Sequence, residues 1–197
     1  IGYPVMLKSV YGGGGRGIRI VNTDQELQDG YETVTAESIA AVGKSAILVE
    51  KFLAQTRHIE YQLARDKHGN TVHIFERECS IQRRNQKLIE QTPSPIVDQE
   101  TRDRIGKLVV NAANAVDYTN LGTAEFLRAE NGEFYFLEIN ARLQVEHPIT
   151  EFVSGLDLVK LQLDIANGEP IPFKQSDLKM NGYAIECRIN AEDTFLD

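Results

Sequence analysis

A chain of 197 residues, 42% hydrophobic and 25% charged, can bury one core, or one core with a smaller lobe, and has the balance of an ordinary globular protein. Its formal net charge of −8 argues against wrapping nucleic-acid phosphates, and no apolar run approaches the roughly 18 residues that a membrane-spanning helix needs. Ile1-Gly2-Tyr3-Pro4 carries neither a basic leader nor an initiator methionine, and Cys79 and Cys187 sit far apart in strand-like runs, which reads as buried, reduced thiols in a reducing compartment.

In chain order the pattern predicts mixed α/β organisation without repeats. Pro4–Ser9 reads as a short apolar strand carrying Lys8, Gly12–Gly17 as a glycine loop, and Ile18–Val21 as the next strand. Thr23 and Asp24 cap a helical pattern over Asp24–Val42, which Gly30 weakens. Ala46–Leu53 reads as a strand, and Arg57–Ala64 with Thr71–Cys79 as a hairpin turning through Asp66–Asn70. His68 and His73, in or beside that polar turn, read as solvated. Thr101–Val116 is an amphipathic helix whose inward face is expected to be Ile105, Leu108, Val109, Ala112 and Val116. A second hairpin, Thr123–Arg128 and Glu133–Ile139, turns at Asn131-Gly132. Helices follow at about Thr150–Ser154 and Leu156–Asn167, before the break at Pro170 and Pro172. Two lobes are expected, a lid from Pro4 to about Lys51 and a floor around the second hairpin.

The glycine loop contains a literal G-x-G-x-x-G at Gly12, Gly14 and Gly17, but a strand-like run follows it instead of the helix a dinucleotide fold requires. No G-K-[ST] is present. A strand, a glycine loop and a strand can form a mobile flap whose bare amides close over phosphates, with Lys8 as a point charge, or simply a surface loop. Across the second hairpin, Glu125 and Glu138 can share a face, and Asn140 returns to it. Two carboxylates and an amide oxygen suit Mg²⁺ bridging nucleotide phosphates. The run Glu138–His147, E-I-N-A-R-L-Q-V-E-H, packs carboxylates, amides, a guanidinium and an imidazole into ten positions as a strand ends. That composition builds a core poorly and an active site well, since each buried charge needs a partner.

These segments occur in order with Val49-Glu50-Lys51-Phe52-Leu53, Arg57-His58-Ile59-Glu60, the run Cys79–Lys87 (C-S-I-Q-R-R-N-Q-K) and the run Glu186–Asp193 (E-C-R-I-N-A-E-D). Together they resemble the ATP-grasp core of biotin carboxylase, the ATP-using component of biotin-dependent carboxylases, from the first residue to the last. The resemblance implies an α+β ATP-grasp fold with a mobile glycine-loop lid lobe and an antiparallel-sheet lobe with helices. It implies an ATP-grasp domain over 1–172, divided into a lid lobe and adenine strand (about 1–53) and a metal and bicarbonate lobe (54–172). Residues 173–197 would then begin a C-terminal domain, and a further N-terminal domain would precede Ile1. It also implies that Glu50, Lys51 and Leu53 receive the adenine, that His58 and Gln82 contact ribose, and that Leu127 lines the nucleotide site. Lys8, Gly13, Gly14 and Gly15 would clamp phosphates, and Glu125, Glu138 and Asn140 would hold Mg²⁺ or Mn²⁺. Lys87, Arg142, Gln144, Val145 and Glu146 match the bicarbonate pocket, with Glu146 as the base, and Arg188 matches the group facing biotin.

The implied ligands and partners are ATP, Mg²⁺ (or Mn²⁺), bicarbonate, biotin on a carrier domain and a carboxyltransferase component. Neither nucleic acid nor membrane is expected as a partner. The parent would be homo-oligomeric and cytoplasmic, or in the mitochondrial matrix if eukaryotic. The acceptor (acetyl-CoA, propionyl-CoA, pyruvate or urea) is not encoded in this stretch. Asn85 departs from a histidine common at its position, and Tyr11 from a small residue. His147 is expected to orient the loop, with Pro148 fixing its exit. Rival readings are another ATP-grasp ligase of the carbamoyl-phosphate-forming or carboxylate–amine kind, and a nucleotide-binding module without catalysis. The first shares the lid and metal set but has no need of Arg142-x-Gln144-x-Glu146 together with Cys187-Arg188.

Overall fold

The computed structural model describes residues 1–12 and 17–191. Gly13, Gly14 and Gly15 of the expected phosphate clamp, and Glu192 and Asp193 of the last motif, lie outside them. The chain forms two compact units, one of Ile1–Gln55 with Arg83–Gln86, the other of Thr56–Gln82 with the chain from Lys87 on.

The first unit contains β1 (Val5–Ser9), β2 (Ile18–Val21), α1 (Asp24–Val42) and β3 (Ile47–Lys51), with the strands ordered β2-β1-β3 and both pairs antiparallel. Val5 and Leu7 are buried with Val21 and with Val34 of α1, as period-two alternation in β1 demands. Thr23 accepts from the Glu26 amide to cap the helix, and Glu26 answers by accepting from the Asn22 amide at 2.9 Å. Gly30 does not weaken α1 by accident. A Cβ there would lie 3.1 Å from Val21 and 3.2 Å from Leu7, so its absence lets the helix approach the sheet.

In the second unit, but for Arg83 and Gln86 at two strand ends, come β4 (Arg57–Arg65), β5 (Thr71–Arg83), β6 (Gln86–Thr92), α2 (Gln99–Ala115), β7 (Asn120–Arg128), β8 (Phe134–Asn140), α3 (His147–Ser154), α4 (Leu158–Ala166) and β9 (Ala184–Cys187). Their sheet runs β8-β7-β4-β5-β6-β9. One face buries Ile59, Tyr61 and Leu63 of β4, with Ala124 and Phe126 of β7, against Ile105, Val109 and Ala113 of α2. The opposite face carries Glu60, Gln62 and Ala64, and at its Ala64 end it packs on Leu158, Leu161 and Ile165 of α4. The polar end of that face is where most of the candidate site residues of this unit gather.

A bulge decides which β5 residues join them. Leu63 pairs with His73 but Tyr61 pairs with Glu76, so β5 carries one extra residue there, with Phe75 at φ 58°. Before the bulge Val72 and Ile74 face α4; after it Arg77, opposite Glu60, turns to the polar face.

Four expectations need correction. The inward face of α2 is Arg102, Ile105, Gly106, Val109 and Ala113, while Leu108, Ala112 and Val116 are exposed. Both stripes have helical spacing, and the sheet selected the one with a glycine in it. A Cβ at Gly106 would collide with the His73 ring, so His73 is buried against α2 and not solvated. Strand β6 was not foreseen; it follows a tight Arg84–Asn85 turn with φ of 53° and 60°, a conformation asparagine tolerates well. Cys79 is buried as expected, but Cys187 is exposed on β9, which ends the sheet.

Candidate active site

Each unit presents its own set of groups. In the first, Lys8 and Glu50 lie on one face of the small sheet. Met6 pairs with Glu50 and Lys8 with Leu48, while the alternate β1 residues are buried under α1. Glu50 Oε2 is buried and lacks a hydrogen-bond partner among the described residues, as expected of an acceptor waiting for an N–H donor. Lys51 ends β3 and donates to the Ile1 carbonyl at 3.4 Å, and Leu53 follows.

The second unit brings together most of the groups expected there. In the antiparallel register Glu60 pairs with Glu125, His58 with Leu127, and Glu125 with Glu138, so these side chains share the polar face. Lys87 Nζ donates to Glu60, to Glu125 Oε1 at 2.9 Å and to Glu146 Oε1 at 2.6 Å. Arg188 bridges outward, with Nε 2.7 Å from Glu90 Oε1 and Nη2 2.9 Å from Glu146 Oε2. Glu146 is therefore a buried carboxylate with a cation on each oxygen. Gln144 donates to Glu125 Oε1 at 2.9 Å, and Asn140 reaches the same oxygen at 3.0 Å and Glu138 Oε1 at 3.5 Å. His58 Nδ1 meets the Gln82 amide at 3.1 Å, while its Nε2 stands 3.2 Å from Glu125 and 3.7 Å from Glu60.

Electrostatics in this cluster oppose burial and win. Burial alone would push the His58 imidazole down, but its bonds to Glu125 and Glu60 and their charges raise it to about 9. Burial likewise disfavours the Glu125 carboxylate, yet His58 and Lys87 bring it down to about 2. Glu60 is held well below the carboxylate range by Arg77, His58 and Lys87 despite its burial. The Lys87 ammonium, though desolvated, is kept charged by the carboxylates around it. Cys79 is pushed far up by burial and is inert as a thiolate.

The residues present fit a hard divalent cation. Glu125 and Glu138 face each other across the hairpin; Asn140 turns its Nδ2 to both and its Oδ1 to Arg142, and exchanging the two ends of that amide would complete an oxygen set suited to Mg²⁺. His58, Glu60 and Glu125 also come within 4.8 Å of one another, but the Lys87 ammonium already bridges two of them. Arg142 and Val145 are exposed beside this cluster; among the described residues Arg142 reaches the Leu143 carbonyl at 3.3 Å and Asn140 Oδ1, in the candidate metal set, at 3.5 Å. His147 opens α3 and its Nδ1 lies 2.8 Å from the Gln144 carbonyl, a contact that fixes the bend before the helix.

Sequence reasoning gave no role to Glu60, Arg77 and Glu90, which are fully buried and complete the network. Glu60 was legible, because it stands two residues from His58 on the same strand face. Arg77 lies beyond the bulge, and Glu90 lies on the unforeseen β6.

The model of the carbamoyl-phosphate synthase L chain, ATP-binding domain, matches residues 1–174, and the chain belongs to this family. Biotin carboxylases and their domains are among the proteins to which it is similar. The biotin carboxylase domain of Hydrogenobacter thermophilus 2-oxoglutarate carboxylase, solved as a dimer with MgADP, ADP and bicarbonate, superposes with a TM-score of 0.95 at 51% identity, over 100% of this chain and 43% of that one. The small subunit of 2-oxoglutarate carboxylase from the same organism is 52% identical over 98% of this chain and 41% of its own length. The human mitochondrial propionyl-CoA carboxylase alpha chain is 51% identical over 99% of this chain and 27% of its own. The chain thus spans less than half the length of these relatives, and its fold is the ATP-grasp fold. Among the described residues no helix is long and apolar enough to cross a membrane.

Proposed function

We propose that the protein containing this chain carboxylates biotin, carried on a partner domain, at the expense of ATP and bicarbonate through carboxyphosphate. The observation that carries this reading is Glu146, a buried carboxylate held between Lys87 and Arg188 and connected through Lys87 to the Glu125 end of the metal set. Glu146 takes the proton of bicarbonate while Lys87 and Arg142 hold its other oxygens, and the freed oxygen attacks the γ-phosphorus as ADP leaves. Carboxyphosphate then separates into CO₂ and phosphate. That phosphate removes the ureido N–H proton, and Arg188 stabilises the resulting enolate until its nitrogen bonds to CO₂.

Mg²⁺ on Glu125, Glu138 and Asn140 would neutralise phosphate charge. From the first unit we assign Lys8 and the loop Gly13–Gly15 to the phosphates, and Glu50, Lys51 and Leu53 to adenine. From the second we assign His58, Gln82 and Leu127 to the nucleoside, and Gln144 and the Val145 backbone to bicarbonate. The domain division at 53 and 172 belongs to the same proposal, supported by a family match that ends at 174. So do a carboxyltransferase partner, a homo-oligomeric parent, and a cytoplasmic or matrix location. Relatives named for 2-oxoglutarate and for propionyl-CoA are equally similar, which leaves the final acceptor to parts of the protein other than this stretch.

The test is bicarbonate-dependent ATP cleavage with free biotin in the whole protein, beside Glu146→Gln. Turnover should fall by about 10²- to 10⁴-fold in the variant, the typical worth of a positioned base, with ATP affinity retained. Equal loss of ATP binding would remove Glu146 from the role of base.

A further inference from the structure

Arg77 lies at the convergence of four parts of the second unit, and every one of its N–H groups is used. Nε donates to Glu60 Oε1 at 2.6 Å; Nη1 donates to Gln62 Oε1 at 2.8 Å and to Thr150 Oγ1 at 2.9 Å. Nη2 reaches Thr123 Oγ1 and Gln144 Oε1, both at 3.3 Å. A guanidinium has five N–H donors in a fixed planar fork. Here the acceptors come from β4, β7, the loop before α3 and α3 itself, and the side chain has no solvent exposure.

Two of those five bonds have consequences at the surface of the site. With Oε1 of Glu60 bound to Arg77, the carboxylate plane is set and Oε2 is left for Lys87. With Oε1 of Gln144 turned to Arg77, its amide can present only Nε2 to Glu125, which is the contact observed. Arg77 therefore orients, from below, one partner of the ammonium and one partner of the metal carboxylate. The Thr150 bond ties the same fork to α3, the helix that begins directly after Glu146.

We propose that Arg77 is a positioning residue for the bicarbonate half of the site, acting through Glu60 on Lys87 and through Gln144 on Glu125 while touching no substrate. The proposal rests on the function argued above. A lysine at this position could keep the charge but could not hold five acceptors in one plane. A displacement of about 1 Å at reacting groups can cost roughly 100-fold in rate.

The experiment uses the whole protein and compares Arg77→Lys with Arg102→Lys, which damages another buried arginine–carboxylate pair on the opposite face of the same sheet. Unfolding midpoints, calorimetric ATP affinity, and kcat and KM for bicarbonate are measured for both. Positioning predicts that Arg77→Lys lowers kcat/KM for bicarbonate about 100-fold with ATP affinity at the wild-type value, while Arg102→Lys loses stability only. If both variants lose stability and neither loses kcat/KM, Arg77 is a structural brace and the inference is overturned. Should Arg77→Lys fail to fold, Gln62→Leu and Thr150→Val decide the matter, since each removes one acceptor from the fork. A raised bicarbonate KM in either supports positioning, and wild-type values in both overturn it. A wild-type protein without bicarbonate-dependent ATP cleavage would instead overturn the proposed function, on which this inference stands.

Discussion

Arg102 and Lys87 each sit among buried carboxylates in the second unit, on opposite faces of one sheet, and they are wired differently. Arg102 makes a closed, two-pronged pair with Glu76, Nε to Oε2 and Nη2 to Oε1, both at 2.7 Å, and Glu76 also accepts from the Ser94 amide at 3.1 Å. One cation meets one carboxylate in a fixed geometry, and the same guanidinium is tied to Gln99 Oε1 and the Val97 carbonyl. Lys87 shares a single ammonium among Glu60, Glu125 and Glu146, and each of these also faces a second cation: Arg77 and His58, His58, and Arg188 respectively. Shared bonds can be exchanged one at a time when an anion or a cation arrives, whereas a closed fork can only be kept or broken. The first kind of wiring holds a fold together and the second can run chemistry.

Breaking the closed pair should give the largest effect on stability. Arg102→Met leaves Glu76 buried without its charge partner and should cost about 3–5 kcal/mol in denaturant unfolding, with kcat per folded molecule unchanged. A stability loss below 1 kcal/mol (roughly the worth of a surface pair) would mean that water reaches the site and the two clusters are less different than described. Next, Gly106→Ala forces a methyl group into the His73 ring on the same face and should cost about 1–3 kcal/mol by overpacking, read in the same assay.

On the other face, Glu138→Gln should leave stability alone and raise the Mg²⁺ requirement at least about tenfold, a cost typical even of residues that merely support a metal ligand. An unchanged Mg²⁺ titration would remove Glu138 from the metal set. The smallest effect is a pH slope. Burial lowers the His73 pKa below its ordinary value, so the unfolded chain binds this proton more readily than the folded one. That contribution is complete above about pH 6.5 and is lost as pH falls below it, by at most about 1.4 kcal/mol per unit. His73→Phe should flatten unfolding midpoints measured between about pH 6.5 and 5, and an unaltered slope would assign it to another group.

Part of the site was legible from alternation along one strand: Glu138 and Asn140 share a face, and a count of two from His58 would have added Glu60. Glu125 meets Glu138 only because the register shifts by one residue after Phe126 pairs with Phe136; unbroken alternation from Asn131-Gly132 would have set Glu125 opposite Leu137. The α2 face was misassigned because two stripes on that helix have the same period, and only the partner surface distinguishes them. Cys187 was misplaced for a related reason: its strand pattern says nothing about whether a neighbour covers it.

What the sequence determined by itself is local, namely where α1 starts and stops and where the chain turns at Asp66–Asn70 and Asn131-Gly132. Those features depend on caps, glycines and alternation within a few positions of one another. Only the tertiary structure decided that Arg77 faces the site and Glu76 faces α2. The choice depends on a single extra residue at Phe75, set by pairing with a strand that lies a turn away in the chain. A one-residue shift in a period-two element exchanges every side chain beyond it between the two faces of the sheet.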